Sequence, residues 1–132
     1  MDRIKGLDEQ NRIDLANSYK AKIDMLDIKN NTKNISELSF EFYKLGTEMN
    51  SRKWRSICED IMYLYIYGNL DFMVVGNANG YTATNDIELI TKHLSKKYNQ
   101  AMGLMTNAYK LKKSLETRFN TKLDFGVSNE SI

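Results

Sequence analysis

The sequence predicts a mainly α-helical fold with one small β-hairpin. Apolar residues recur at steps of three and four in four separate runs, which is the signature of helices with one buried face. Proline is absent from all 132 residues, so the commonest helix breaker is missing. A single stretch, residues 72–84, instead combines β-branched and aromatic residues with glycines at its middle, the pattern of a hairpin.

The first helix is expected within residues 8–29, where Ile13, Ala16, Tyr19 (or Lys20), Ile23 and Leu26 fall on one face. The polar cluster Lys29 to Asn34 follows and reads as a loop. Asp24, Asp27, Asn30 and Asn31 supply oxygens there, but a calcium loop needs a central glycine and a closing glutamate, and both are missing. The next helix opens at Ile35: Asn34 is placed to cap it, and Glu37 completes a capping box. Ile35, Leu38, Phe42 and Leu45 share a face, and Gly46 stands where a helix end requires a left-handed residue. After a short turn, residues 51–67 form a third helix with Trp54, Ile57, Cys58, Ile61, Met62 and Tyr65 on one side. Its end, Met62 to Tyr67, is apolar nearly all round, and Gly68-Asn69 stops it.

The hairpin strands are expected at 72–75 and 81–84, with Gly76 and Gly80 supplying backbone freedom at the tip. From Asp86 to about Phe119 one long helix is expected, capped by Asn85 with Glu88 completing a second capping box. Ile87, Leu94, Ala101, Ala108 and Leu115 repeat every seven residues, flanked by Ile90, Leu104 and Leu111 and by Tyr98, Met105 and Phe119. Such a helix is about 50 Å long, more than one small core can cover. Either it packs against a second copy of the chain, through Ile87, Leu94, Tyr98, Ala101, Met105, Ala108 and Leu115, or Gly103 breaks it in two. The homodimer is the preferred expectation.

The composition suits one domain, expected over residues 1–123, with a flexible polar tail at 124–132. Hydrophobic residues make up 42% and charged residues 27%, as in ordinary globular proteins. One cysteine, Cys58, excludes an internal disulfide and fits a reducing, cytoplasmic setting. Neither a signal peptide nor a transmembrane span is expected. The net charge of +2 tolerates a polyanion partner without demanding one. Abundant Asn, Lys, Ile and Tyr suggest an AT-rich genome, such as that of a phage or plasmid.

Catalysis is not expected. His93, the only histidine, lies inside the long helix, and Cys58 sits on an apolar helix face with no histidine near it in sequence. The Gly76-to-Gly80 tip lacks the spacing and the lysine of a phosphate loop, and carboxylates are scattered. No cofactor and no metal site are inferred.

Helix, turn, helix and hairpin follow one another over residues 35–84, an order that resembles the winged helix-turn-helix superfamily. The resemblance implies a winged helix-turn-helix-like core plus a long C-terminal dimerisation helix. It also implies that the second helix of the pair enters the DNA major groove by its N-terminal residues. Those are Asn50, Ser51, Arg52, Lys53 and Arg55, which suit guanine, adenine and phosphate contacts. Asn77 and Asn79 at the hairpin tip would meet the backbone or minor groove, although the tip carries neither Arg nor Lys. Thr47 stands where the superfamily usually places an apolar residue, and Met49 is the substitute.

The expected function is therefore a small homodimeric DNA-binding regulator or accessory protein, taking double-stranded DNA as its partner. The alternative is a helical interaction module that inhibits or assembles another protein without touching DNA; Met62, Tyr63, Tyr65, Ile66 and Tyr67 suit an interface as well as a core. A structural subunit built on the long helix is a third reading. The lysines of that helix are either its solvated face or a second polyanion surface.

Overall fold

The computed structural model describes residues 2–123, so the tail at 124–132 lies outside the described residues. The elements run α1 (Glu9–Leu26), α2 (Ile35–Lys44), α3 (Ser51–Ile66), β1 (Met73–Asn77), β2 (Gly80–Thr84) and α4 (Ile87–Phe119). By its contacts the chain divides into two compact units, Met1–His93 and Leu94–Ile132. No helix among the described residues is long and apolar enough to cross a membrane.

In the first unit, Asp8 caps α1 by accepting the Asn11 N–H at 2.8 Å. Ala16, Tyr19, Ile23 and Leu26 are the buried stripe of α1, while Ile13 stays 40% exposed. The helix ends before the expected residue 29 because Asp27 turns left-handed (φ 53°). The following residues find better partners in the sheet than in another helical turn. Ala83 N–H donates to Ile28 at 2.8 Å, Asn30 N–H to Ala83 at 2.9 Å, and Lys33 and Tyr81 exchange two bonds at 3.0 and 2.8 Å. The supposed polar loop is thus a third edge laid along β2, with Ile28 fully buried beneath it.

The expected capping box forms: Asn34 accepts from Glu37 N–H at 2.9 Å, and Glu37 accepts from Asn34 N–H at 3.1 Å. Leu38 and Phe42 enter the core. Leu45 does not, being the C-cap residue and 47% exposed. Gly46, at φ 77°, closes α2 with Thr47 N–H on Phe42 and Gly46 N–H on Tyr43. Met49 is the apolar residue of the turn, packed against the core, while its carbonyl accepts the Ser39 hydroxyl at 3.3 Å.

Along α3 the buried positions are Trp54, Asp60, Ile61 and Leu64; Tyr65 points outward. Trp54 is the hub, edge-on to Phe42 of α2 at 6.1 Å and to Tyr81 of β2 at 5.7 Å. Such aromatic pairs add about 0.5–1.5 kcal/mol each beyond the area they bury. Gly68, at φ 81°, ends α3 as Gly46 ends α2.

β1 and β2 pair antiparallel from Met73↔Thr84 to Asn77↔Gly80, leaving Ala78-Asn79 as the turn. Of the two tip glycines only Gly80 takes a positive φ, 134°. A Cβ there would lie 2.3 Å from the Lys33 carbonyl oxygen, so the hairpin and the 28–33 edge meet only because residue 80 has no side chain.

α4 begins one residue later than expected. The Thr84 hydroxyl takes the Asp86 N–H at 3.0 Å, and Asp86 rather than Asn85 caps the helix by accepting Glu88 N–H at 2.9 Å. The helix runs unbroken through Gly103, which removes the two-helix alternative. In the second unit it closes at Asn120 (φ 47°), where Thr121 N–H donates to the Glu116 carbonyl and Leu123 N–H to its carboxylate, both at 3.2 Å.

Two glycine substitutions should therefore diverge in a thermal melt followed by circular dichroism. Gly80→Ala must push backbone against backbone and lower stability by more than about 1 kcal/mol. Gly103→Ala meets nothing within 4 Å and should raise helix stability by about 1 kcal/mol. Equal melts for Gly80→Ala and wild type would refute the close approach at residue 33.

Candidate nucleic-acid interface

The start of α3 is set by two opposing demands. Trp54 and Ile61 must face the core, which turns Ser51, Arg52, Lys53 and Arg55 to solvent. Asn50 caps the helix, its side-chain oxygen accepting Lys53 N–H at 2.9 Å. That oxygen thus holds one backbone N–H, and the amide NH2 of Asn50 is the group left with no bond to the cap. Lys53 Nζ reaches the Glu48 carbonyl at 3.4 Å. Arg52 and Arg55, three residues apart, lie on neighbouring positions of the helix surface. The first turn of α3 contains no acid. Cations at a helix N-terminus oppose its dipole at a cost of about 0.3–1 kcal/mol each, a cost that an approaching anion reverses.

The Trp54–Tyr81 contact packs β2, just after its Gly80, against the buried side of α3. Asn77 and Asn79 are both exposed at the tip. The Asn77 side-chain oxygen already accepts Asn79 N–H at 2.8 Å, which stiffens the turn and leaves mainly donors facing outward. Cations on α2 are less available. Glu41 pairs with Lys44 at 2.9 Å and with Lys33 at 3.7 Å, and Lys44 chiefly holds the Glu41 carboxyl below its ordinary value.

On α4, the residues expected to form a dimer interface are open. Ile87, Leu94 and Tyr98 are 75%, 65% and 63% exposed, Met105 is 43% exposed, Ala101 and Ala108 are exposed, and Leu115 is half-buried. Among the described residues α4 has no buried side chain at all.

A polar cluster that the sequence did not reveal holds the other side of the module. Asp60, 4% exposed, receives Arg3 Nε on both carboxylate oxygens at 2.9 Å, the Arg3 Nη2 donor, and the Tyr19 hydroxyl at 2.5 Å. Burial, and then the hydrogen bond to Asp60, push the Tyr19 hydroxyl up to about 12. Asp2 accepts the N–H groups of Ile4 and Lys5 at 3.0 Å and the Tyr67 hydroxyl at 2.5 Å, while the Arg12 guanidinium lies 4.4 Å above the Tyr67 ring. These bonds fasten residues 2–7 across α1 and α3, with Ile4 fully buried beneath. An acid lying in step with Trp54, Ile57, Ile61 and Leu64 was the available signal for Asp60. Nothing local pointed to Arg3, which is 57 residues away.

Among the described residues no group of three or more His, Cys, Asp or Glu is placed to hold a metal ion. A cleft of about 270 Å³ opens at the other end of the hairpin, lined by Lys20, Asp24, Asp71, Phe72 and Thr84. No protein-family model, curated protein or solved structure matches the chain.

The raised Tyr19 value gives an alkaline prediction. The folded-state value lies above the ordinary 10.0, so the stabilisation is complete below about pH 10 and is lost as pH rises through about 12. Denaturant unfolding of Tyr19→Phe should show a loss of about 1.5–3 kcal/mol at pH 7 and a shallower decline above pH 10. An unchanged alkaline decline would assign that limb to other groups.

Proposed function

We propose that this chain is a small homodimeric DNA-binding protein, a regulator or accessory factor of phage or plasmid type, acting in the cytoplasm without catalysis. The single observation that carries the reading is the start of α3. Arg52, Lys53 and Arg55 stand exposed on a turn that contains no acid, while Trp54 fixes the helix from behind. The packing of Tyr81 on Trp54, which joins the hairpin to α3, adds support, as does the sheet edge at 28–33, which ties the hairpin to the start of α2. In this reading Arg52 and Arg55 meet base edges and phosphates in a major groove. Ser51, Lys53 and the Asn50 amide set the register on the backbone, and Asn77 and Asn79 touch the adjacent strand. Two copies joined through α4 would present two such helices to a pseudo-palindromic site.

A second reading, an interaction module that binds another protein, is favoured by the open apolar face of α4 and by Phe40 and Tyr43 of α2, 60% and 76% exposed.

The two readings separate in one titration. Purified protein is mixed with duplex DNA fragments at two salt concentrations, beside Arg52→Ala/Arg55→Ala checked for fold by circular dichroism. Binding should weaken steeply with salt, and the double variant should lose at least about tenfold in affinity with a shallower salt slope. Binding that survives the variant would move the contact to the lysines of α4. No binding at low salt would sink the DNA reading and leave the interaction module.

A further inference from the structure

At the root of the hairpin, opposite its tip, the last two turns of α1, the edge at 28–30, the residues leading into β1 and the end of β2 enclose the cleft of about 270 Å³. Every residue that lines it belongs to the first unit. Its floor is apolar: Ile23 and Ala83 are buried, and Phe72 packs against the same core. Its rim is charged. Lys20 and Asp24 stand one turn apart on α1, Lys29 lies on the edge segment, and Asp71 precedes β1; all four are exposed. Lys20 and Asp24 have the spacing of a helical ion pair. Even so, among the described residues none of these four side chains makes a hydrogen bond or an ion pair. Lys33 and Lys44, by contrast, are both taken up by Glu41. Two further polar groups stand at the cleft. The buried Thr84 hydroxyl accepts Asp86 N–H at 3.0 Å and keeps its own hydrogen as a donor. Ile28 and Asn30 supply the bonds to Ala83, which turns the N–H and carbonyl of Lys29 away from β2.

We infer that this cleft binds one small zwitterion with an apolar side chain, the chemistry of a free amino acid. Two lysines against two aspartates leave the rim without net charge. A ligand with a single charge is therefore attracted by one pair and repelled by the other, whereas a ligand carrying both charges meets both pairs. Carboxylate on lysine and ammonium on aspartate are charge-assisted contacts, the stronger class of hydrogen bond. They leave the side chain of the ligand to cover Ile23, Phe72 and Ala83. That division between apolar walls and a few orienting polar groups is the usual build of a small-molecule site. The volume lies just under the roughly 300–1,000 Å³ of pockets for larger organic ligands, which suits a single amino acid and not a nucleotide or a peptide. The site shares no residue with the first turn of α3, so it stands or falls apart from the DNA reading.

Calorimetric titration of the full chain with L-phenylalanine, L-leucine and L-methionine at millimolar concentration tests this. Their N-acetyl and amide derivatives, which keep only the negative or only the positive charge, serve as controls. At least one amino acid should bind saturably at one site per chain, and its two derivatives should bind at least about tenfold more weakly. Asp24→Asn/Asp71→Asn should lose affinity for the amino acid by a similar factor and gain affinity for the N-acetyl derivative. Lys20→Gln/Lys29→Gln should lose the amino acid too, but gain the amide. All four side chains are exposed, so both variants should melt with the wild type. In N–H correlation spectra the ligand-induced shifts should gather at Lys29, Phe72 and Asn85. The site would be overturned by no saturable binding of any of the three, by derivatives that bind as tightly as their parents, by binding that both variants retain, or by shifts that gather elsewhere.

Discussion

The packing of Trp54 is the contact on which the first unit depends. Fully buried on α3, it packs against Phe42 of α2 on one side and Tyr81 of the hairpin on the other. Its burial, together with that of Ile61 and Leu64 on the same face, sets the rotation of α3 about its own axis. That rotation in turn decides which residues of the first turn face solvent. The exposure of Arg52 and Arg55 is thus a consequence of core packing. The Asp60–Arg3–Tyr19 cluster repeats the fastening lower on the same helix, where a charge replaces the ring. A buried carboxylate is tolerated there because guanidinium and hydroxyl donors satisfy it.

Polar and apolar chemistry divide the chain in a second way. The first unit buries most of its apolar side chains before residue 87 in one core, although Phe40 and Tyr43 of α2 and Ile66 of α3 remain exposed. α4 does the reverse and exposes nearly every apolar residue it has. In proteins most helical stability comes from packing an amphipathic face, and among the described residues α4 buries none of its own. Association through α4 would therefore supply stability as well as a surface.

How much could be read from the sequence follows the range of the interactions concerned. The caps at Asn34 and Gly46 depend on residues within about four positions, and both were legible. The hairpin was legible too, through its β-branched and aromatic residues around central glycines, and so was the long helix through its period, although the sequence left a break at Gly103 open. The cap of α4 was misplaced by one residue because Asn85 and Asp86 are both good caps, and the choice is made by Thr84 at the sheet's end. Leu45 was assigned to the core by its spacing, but spacing says nothing once the chain has left helical geometry at a C-cap. The edge formed by residues 28–33 could not be read at all, because its partners lie some fifty residues on and its composition is that of a loop. For the candidate interface, the exposed turn of basic residues was legible. What was hidden is that Asn50 and Asn77 each spend their acceptor oxygen on the backbone.

The tight seat of Gly80 against Lys33 carries a mechanical consequence. A hairpin joined to its neighbours only by a flexible root could tilt to suit whatever it touches. This one is clamped at its tip end to the edge segment and braced by Tyr81 on Trp54. Its angle to α3 is therefore a fixed dimension of the protein. Should a duplex dock against both elements, the nucleic acid must supply the adjustment, by bending or by changing groove width. Selectivity would then extend to the stiffness of base steps that no side chain touches.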